Sequence, residues 1–167
     1  TKEYFSTGRY QILCNSSLGH SVPVISGELQ KEGKQYRASE FTSDGRGFTR
    51  VEFAGAYGSP AVKKLVREAR FSLEDGSLQI KDEFALSEHA EGVTEQLVTQ
   101  GQVEFSPEGI RINGVNSACL IQLPEKIQNL RVVEKQHFNH VGQLEIVRLI
   151  QWEIEEKDKD CTAETRW

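Results

Sequence analysis

Y-R-A-S-E-F-T-S-D-G-R-G-F-T-R-V-E-F, residues 36–53, decides the class of fold. Residues 36–41 alternate Tyr36, Ala38 and Glu40 with Arg37, Ser39 and Phe41, and residues 48–53 alternate Phe48, Arg50 and Glu52 with Thr49, Val51 and Phe53. Successive side chains of a strand point to opposite faces, so period-two alternation marks a half-buried strand. Between the two runs, Ser43-Asp44-Gly45-Arg46-Gly47 reads as a hairpin turn, because glycine reaches positive φ without a Cβ clash. The segment is a β-hairpin.

The same pattern extends in both directions. Strands are expected at residues 11–14 and 22–25 before the hairpin. After it they are expected at 78–86, 93–99, 102–105, 110–112, 118–123, 130–136 and 143–154. Residues 61–73 fit both periods, and we expect a helical turn near 61–64 followed by a strand from about Val66. Turn chemistry separates the runs at Glu74-Asp75-Gly76, Ser106-Pro107-Glu108-Gly109, Asn113-Gly114 and Pro124. About ten strands at spacings of ~8–12 residues with almost no helix predict an antiparallel, two-layer β-sandwich. We expect it to be all-β over residues 1–155. Residues 156–167 are expected to be a polar C-terminal tail, because residues 155–160 read E-E-K-D-K-D.

Composition bounds the function. The chain has 167 residues, enough for one domain burying roughly 70% of its unfolded surface. Its hydrophobic fraction of 37% and charged fraction of 27% suit two sheets that each keep one wet face. A net charge of −5 argues against a nucleic-acid partner, which needs surplus Lys and Arg. No apolar run reaches the ~20 residues of a membrane span. Cys14, Cys119 and Cys161 are odd in number and lack metal-type spacing, which favours a reducing compartment. The absence of methionine and the opening run with Tyr4, Phe5, Tyr10, Ile12 and Leu13 suggest a segment of a longer polypeptide.

The stretch with most chemical content is N-S-S-L-G-H-S-V-P-V-I-S-G-E-L-Q, residues 15–30. It sets His20 after a small polar turn and before a strand whose Pro23 places it near a sheet edge. A histidine so held has fixed ring nitrogens, as metal ligation or proton transfer requires; the plain alternative is a hydrogen bond to a neighbouring loop.

In chain order, several segments resemble the β-sandwich of the heparinase II/III-like polysaccharide lyases. They are residues 15–30, then A-G-A-Y (54–57) ahead of a basic segment with Arg70, Phe71 and Leu73, then L-Q-I-K-D-E-F (78–84). V-T-E-Q-L-V-T (93–99) and H-F-N-H-V-G (137–142) complete the set. The resemblance implies β-elimination on an acidic, uronic-acid-containing polysaccharide, with an N-terminal α/α-toroid of the same polypeptide as partner. It implies a zinc ion in some members, with His20 matching one ligand and the others lying upstream. The family's catalytic motifs are absent from this chain, so we assign no catalytic or substrate-binding residue and expect the piece alone to be inert.

Other residues carry weaker signals. His137 and His140 would share a face on a helix but not on a strand, so a chelate needs a turn at Asn139. Asp82 and Glu83 alternate faces and read as one solvent-facing and one hydrogen-bonded carboxylate. Trp152 reads as core, and Trp167 says little. Lys63, Lys64, Arg67 and Arg70 read as a solvated basic face. Two other functions stay open: a carbohydrate-binding sandwich with an aromatic-lined groove, and a pure assembly domain. Docking to a toroid should leave an exposed apolar patch.

Overall fold

The computed structural model describes residues 5–154 and 160–167. Tyr4 and most of the 155–160 charge run therefore lie outside the described residues. The described chain is all-β. Its strands are β1 (Val24–Ile25), β2 (Glu40–Ser43), β3 (Phe48–Glu52), β4 (Val62–Phe71), β5 (Leu78–Leu86), β6 (Val93–Thr99), β7 (Gln102–Ser106), β8 (Gly109–Asn113), β9 (Ala118–Ile121), β10 (Ile127–Phe138), β11 (Leu144–Ile154) and β12 (Asp160–Arg166). Every pairing among them is antiparallel.

One layer of the sandwich has the order β1-β6-β11-β10. The other is built from a five-stranded sheet, β12-β5-β4-β3-β2, and a three-stranded sheet, β7-β8-β9. Reciprocal hydrogen bonds between Gln122 and Arg166, at 2.7 and 3.0 Å, join these two sheets edge to edge. The C-terminal strand is thus the seam of the second layer. The polar tail expected at 156–167 is corrected here: residues 160–166 pair along β5, from Asp160 opposite Ala85 to Arg166 opposite Gln79. The reason is their phase. Ala163 and Thr165 point inward and are buried, while Glu164 and Arg166 point to solvent.

Two apolar clusters fill the sandwich. In the first, Leu65, Phe84, Leu86 and Ala163 of the larger sheet meet Ile25 and Val93 of the facing layer. In the second, Ile110, Ile112 and Ile121 of the small sheet meet Leu97, Ile150 and Trp152. Trp152 is core, as its strand phase implies.

A hairpin forms within residues 36–53, but its first strand is Glu40–Ser43 rather than the expected 36–41, and it pairs with Thr49–Glu52. Asp44 accepts from the backbone N–H of Arg46 and of Phe48, which fixes the turn and lowers its carboxyl pKa. Gly47 has φ +123°, and its carbonyl accepts from Phe71 N–H at 2.8 Å, so this close passage excludes a Cβ. Two local expectations fail. Residues 11–14 lie across two 3-10 turns, Arg9–Gln11 and Leu13–Asn15, and the expected helical turn near 61–64 is the start of β4. A short apolar run carries both periods, and tertiary pairing chose between them.

Candidate functional site

The segment that carries His20 runs ahead of β1 along the edge of β6, and buried polar groups tie it there. Gln96, wholly buried on β6, donates from Nε2 to the carbonyls of Leu18 at 2.9 Å and His20 at 2.8 Å. Its own Oε1 accepts from Gln151 on β11 at 2.8 Å. Ser21 Oγ accepts from Val98 N–H at 3.0 Å, and Ser17 Oγ accepts from Gln30 N–H at 2.9 Å. Tyr57 donates its hydroxyl proton to the Pro23 carbonyl at 2.5 Å. Each bond satisfies a backbone or side-chain group that burial would otherwise strand.

His20 itself stays exposed, following the 3-10 turn Ser17–Gly19. Its Nε2 lies 3.0 Å from the Cys14 carbonyl. A carbonyl only accepts, so Nε2 carries the hydrogen, and in the neutral ring Nδ1 then keeps its lone pair. The ring stands on a groove of about 360 Å³, lined also by Tyr10, Asn15, Ser17, Gln30 and Lys31. Both ends of the 15–30 stretch therefore return to the same place.

A second groove of about 340 Å³ lies across the wall formed by residues 14–19, with Cys14, Gly19, His137, His140 and Glu145 on its lining. His137 and His140 do flank a turn at Asn139, as a chelate would need. Yet both oxygens of Glu145 already accept from protein amides, Asn139 Nδ2 at 2.7 Å and Gln100 Nε2 at 3.0 Å, with His137 Nε2 at 3.3 Å. Among the described residues no three His, Cys, Asp or Glu side chains are grouped to hold a metal ion. His20 fits one ligand of a metal with its free Nδ1 and its other nitrogen on a carbonyl, the usual outer support of a ligating histidine. The described residues do not complete such a site.

Beneath the His20 segment lies a charged cluster that the sequence reading missed. Arg67 of β4 donates to both oxygens of Asp82 on β5, Nε at 2.7 Å and a terminal nitrogen at 2.5 Å. Its other terminal nitrogen donates to the Ser21 carbonyl at 2.5 Å. Glu95 of β6 comes from the opposite layer, with Oε2 at 3.8 Å from the guanidinium and Oε1 buried without a partner. Asp82, 2% exposed, is the hydrogen-bonded member of the Asp82–Glu83 pair, so the reading of one solvent-facing and one hydrogen-bonded carboxylate holds, while the solvated reading of Arg67 is corrected. Lys63, Lys64 and Arg70 are exposed as expected, and Glu83 pairs with Lys81 on the outer face.

The environment splits these groups. Burial pushes the Glu95 carboxyl well above the usual carboxylate range, the charge of Asp82 adds to this, and Arg67 opposes it. For Arg67, burial works against the charge, but hydrogen bonding to Asp82 and the nearby carboxyls outweigh it and the guanidinium is held charged. Burial likewise raises the Tyr57 phenol, against a hydrogen bond from the Gln30 side chain. A signal for the cluster did exist. Arg67 is in phase with Leu65 and Ala69, Asp82 with Ile80 and Phe84, and Glu95 with Val93 and Leu97. Three charges at apolar phases, of opposite signs, predict a buried ionic cluster.

No protein-family model and no curated protein matches the chain.

Proposed function

We propose that this chain is the sandwich portion of a heparinase II/III-like lyase, which cleaves a uronic-acid-containing polysaccharide by β-elimination together with a toroid domain of the same polypeptide. The observation that carries this reading is the state of His20. It is exposed on a groove, it is braced through Nε2–H on a backbone carbonyl, and its Nδ1 has no partner among the described residues. A ring so presented serves a partner or ligand outside the sandwich rather than the core.

Two further features support it. The segments that carry the resemblance meet physically: Gln96 holds residues 18–20, Tyr57 holds Pro23, and Asp82 and Glu95 meet Arg67 beneath them. In addition, the inner face of the β10–β11 hairpin runs past its cover. Phe138 and Leu144 are cross-strand partners at its end, and Ile146 follows on the same face; all three are exposed. This is the apolar surface expected where a further domain packs.

Elimination requires neutralising the uronate carboxylate while the C5 proton is removed, then protonating the leaving oxygen. We assign none of these steps to this chain. Its part is to complete the cleft with the His20 groove, where Tyr10, Asn15 and Lys31 offer a ring, an amide and a cation to an acidic sugar, with the Glu32 carboxylate on the same lining. Zinc, where the parent holds it, would take His20 as one ligand and add positive charge beside that cleft.

The test is an absorbance assay for unsaturated uronate products, run on the full-length parent and its His20→Ala variant with several uronic-acid polymers, alongside zinc analysis. Product from the parent and reduced product or zinc in the variant support the proposal. A parent that yields no unsaturated product from any such polymer overturns it. Full zinc occupancy in His20→Ala removes the ligand role.

A further inference from the structure

The Arg67–Asp82–Glu95 cluster does more than fill the interior, because the same guanidinium that binds Asp82 also binds the segment outside the sheet. We propose that Arg67, Asp82 and Glu95 form a proton-dependent latch, in which Arg67 holds residues 18–23 against the sheet while Glu95 keeps its proton and releases them when Glu95 loses it.

Every arm of the guanidinium is committed. Nε and one terminal nitrogen lie on Asp82, and the remaining nitrogen lies on the Ser21 carbonyl. Only one contact is left long, the 3.8 Å approach to Glu95 Oε2. With Glu95 neutral the cluster balances, one cation against the Asp82 carboxylate. Loss of the proton leaves two carboxylates and one guanidinium in the interior, and a net buried charge is strongly disfavoured. To answer it, Arg67 must close on Glu95 to a charge-assisted distance of about 2.8 Å. That displacement turns the fork away from Asp82 or draws the third arm off Ser21.

Among the described residues, few ionisable groups face Glu95. Arg67 comes from β4, Asp82 from β5, and Tyr57 from the loop before β4. Across the ladder on β11 its partner is Trp152, and beside Asp82 on β12 stands Ala163; neither ionises. Tyr57 stays neutral, its phenol raised by burial, and keeps its bond to Pro23. Release therefore begins at Ser21, next to His20, and loosens the wall of the His20 groove. The inference concerns the fold alone and stands whether or not the parent is a lyase.

The direction follows from linkage. Because Glu95 holds its proton more tightly folded than unfolded, its contribution is complete below about pH 4.5, the ordinary glutamate value, and is lost as pH rises toward the native one. Within that window the folding equilibrium falls up to about ten-fold per pH unit. The lowered carboxyls of Asp44, Asp75, Glu83 and Glu153 act in the opposite sense, and their window closes near ordinary carboxylate values.

The experiment compares the full chain with Glu95→Gln by thermal unfolding from about pH 5 to about pH 9. The parent chain should lose roughly 3–5 °C per pH unit inside the window, and Glu95→Gln should lose this slope. Amide exchange at residues 18–23, corrected for its intrinsic pH dependence, should rise with pH in the first and stay level in the second. Equal slopes and equal exchange in both proteins overturn the latch. Infrared spectra of the unmutated protein decide the case if Glu95→Gln folds poorly. A carboxylic-acid C=O band that persists at neutral pH and fades as pH rises supports it, and its absence at neutral pH overturns it.

Discussion

Replacing Arg67 with methionine tests the interior most directly. The change keeps most of the side-chain volume and removes every polar arm: both bonds to Asp82 and the bond to the Ser21 carbonyl. Asp82, at 2% side-chain exposure, would then face Glu95, at 5%, with no cation between them. Breaking one side of a buried ion pair costs about 3–5 kcal/mol, because the remaining charge stays desolvated. Against a total stability of roughly 5–15 kcal/mol this is a large share. For a chain of this length each kcal/mol moves the melting temperature by about 2–4 °C, so Arg67→Met should melt roughly 6–20 °C lower. The assay is urea unfolding at neutral pH followed by tryptophan fluorescence, with Trp152 reporting the core. The double variant Arg67→Met, Asp82→Leu removes the stranded carboxylate and should recover to within about 2 kcal/mol of the parent. A single variant that loses less than about 1 kcal/mol refutes the buried pair. A double variant as weak as the single one shows that the lost Ser21 contact, rather than an uncompensated charge, sets the penalty.

Other substitutions separate the site from its support. Gln96→Leu strands the Leu18 and His20 carbonyls and should cost about 2–4 kcal/mol, with faster amide exchange at residues 16–23 and no change at β3 and β4. Trp152→Ala should cost about 3–5 kcal/mol in the same urea assay, since the ring is 1% exposed and its cavity lies under two packed layers. His20→Ala should change stability by less than about 1 kcal/mol, so any loss of product or zinc in the parent reports on function. Gly47→Ala should cost more than about 1 kcal/mol, because φ is +123° and a Cβ would strike the Phe71 carbonyl; near-parent melting would refute that close approach.

Much of the sheet structure was readable in advance because its signal is local. Residues 78–86 and 93–99 are strands over the whole expected range, where alternation is long and turn residues bound it. The failures came where local pattern is silent. Residues 9–19 form successive 3-10 turns that are anchored from far along the chain, by Gln96 on the Leu18 carbonyl. The seam strand β12 follows a charge run, and its inward residues Cys161, Ala163 and Thr165 are too small or polar to look like core. They are small for a reason. Ala163 sits opposite Asp82, where the space is taken by the Arg67 fork rather than by an apolar neighbour.

The two halves of the candidate site were unequally legible for the same physical reason. His20 stood out because a turn, a proline and a strand edge are written into adjacent residues. Arg67, Asp82 and Glu95 are separated in sequence and become a unit only when two layers close on them. An ionisable residue on a strand reads as solvent-facing unless its phase is checked against its apolar neighbours, and all three fall on apolar phases. Arg148 does as well, between Ile146 and Ile150, and it is 9% exposed, with its guanidinium on Glu134 and the carbonyls of Gln100 and Gly101. Phase therefore outranks chemical type in judging a charge on a strand. An inward charge needs a partner from another element, and that partner fixes where the elements must meet. In this molecule such meetings lie under the His20 segment and at the β6–β7 corner, and under that segment Arg67 joins the neutral Gln96 and Tyr57 in fixing how the exposed histidine is presented.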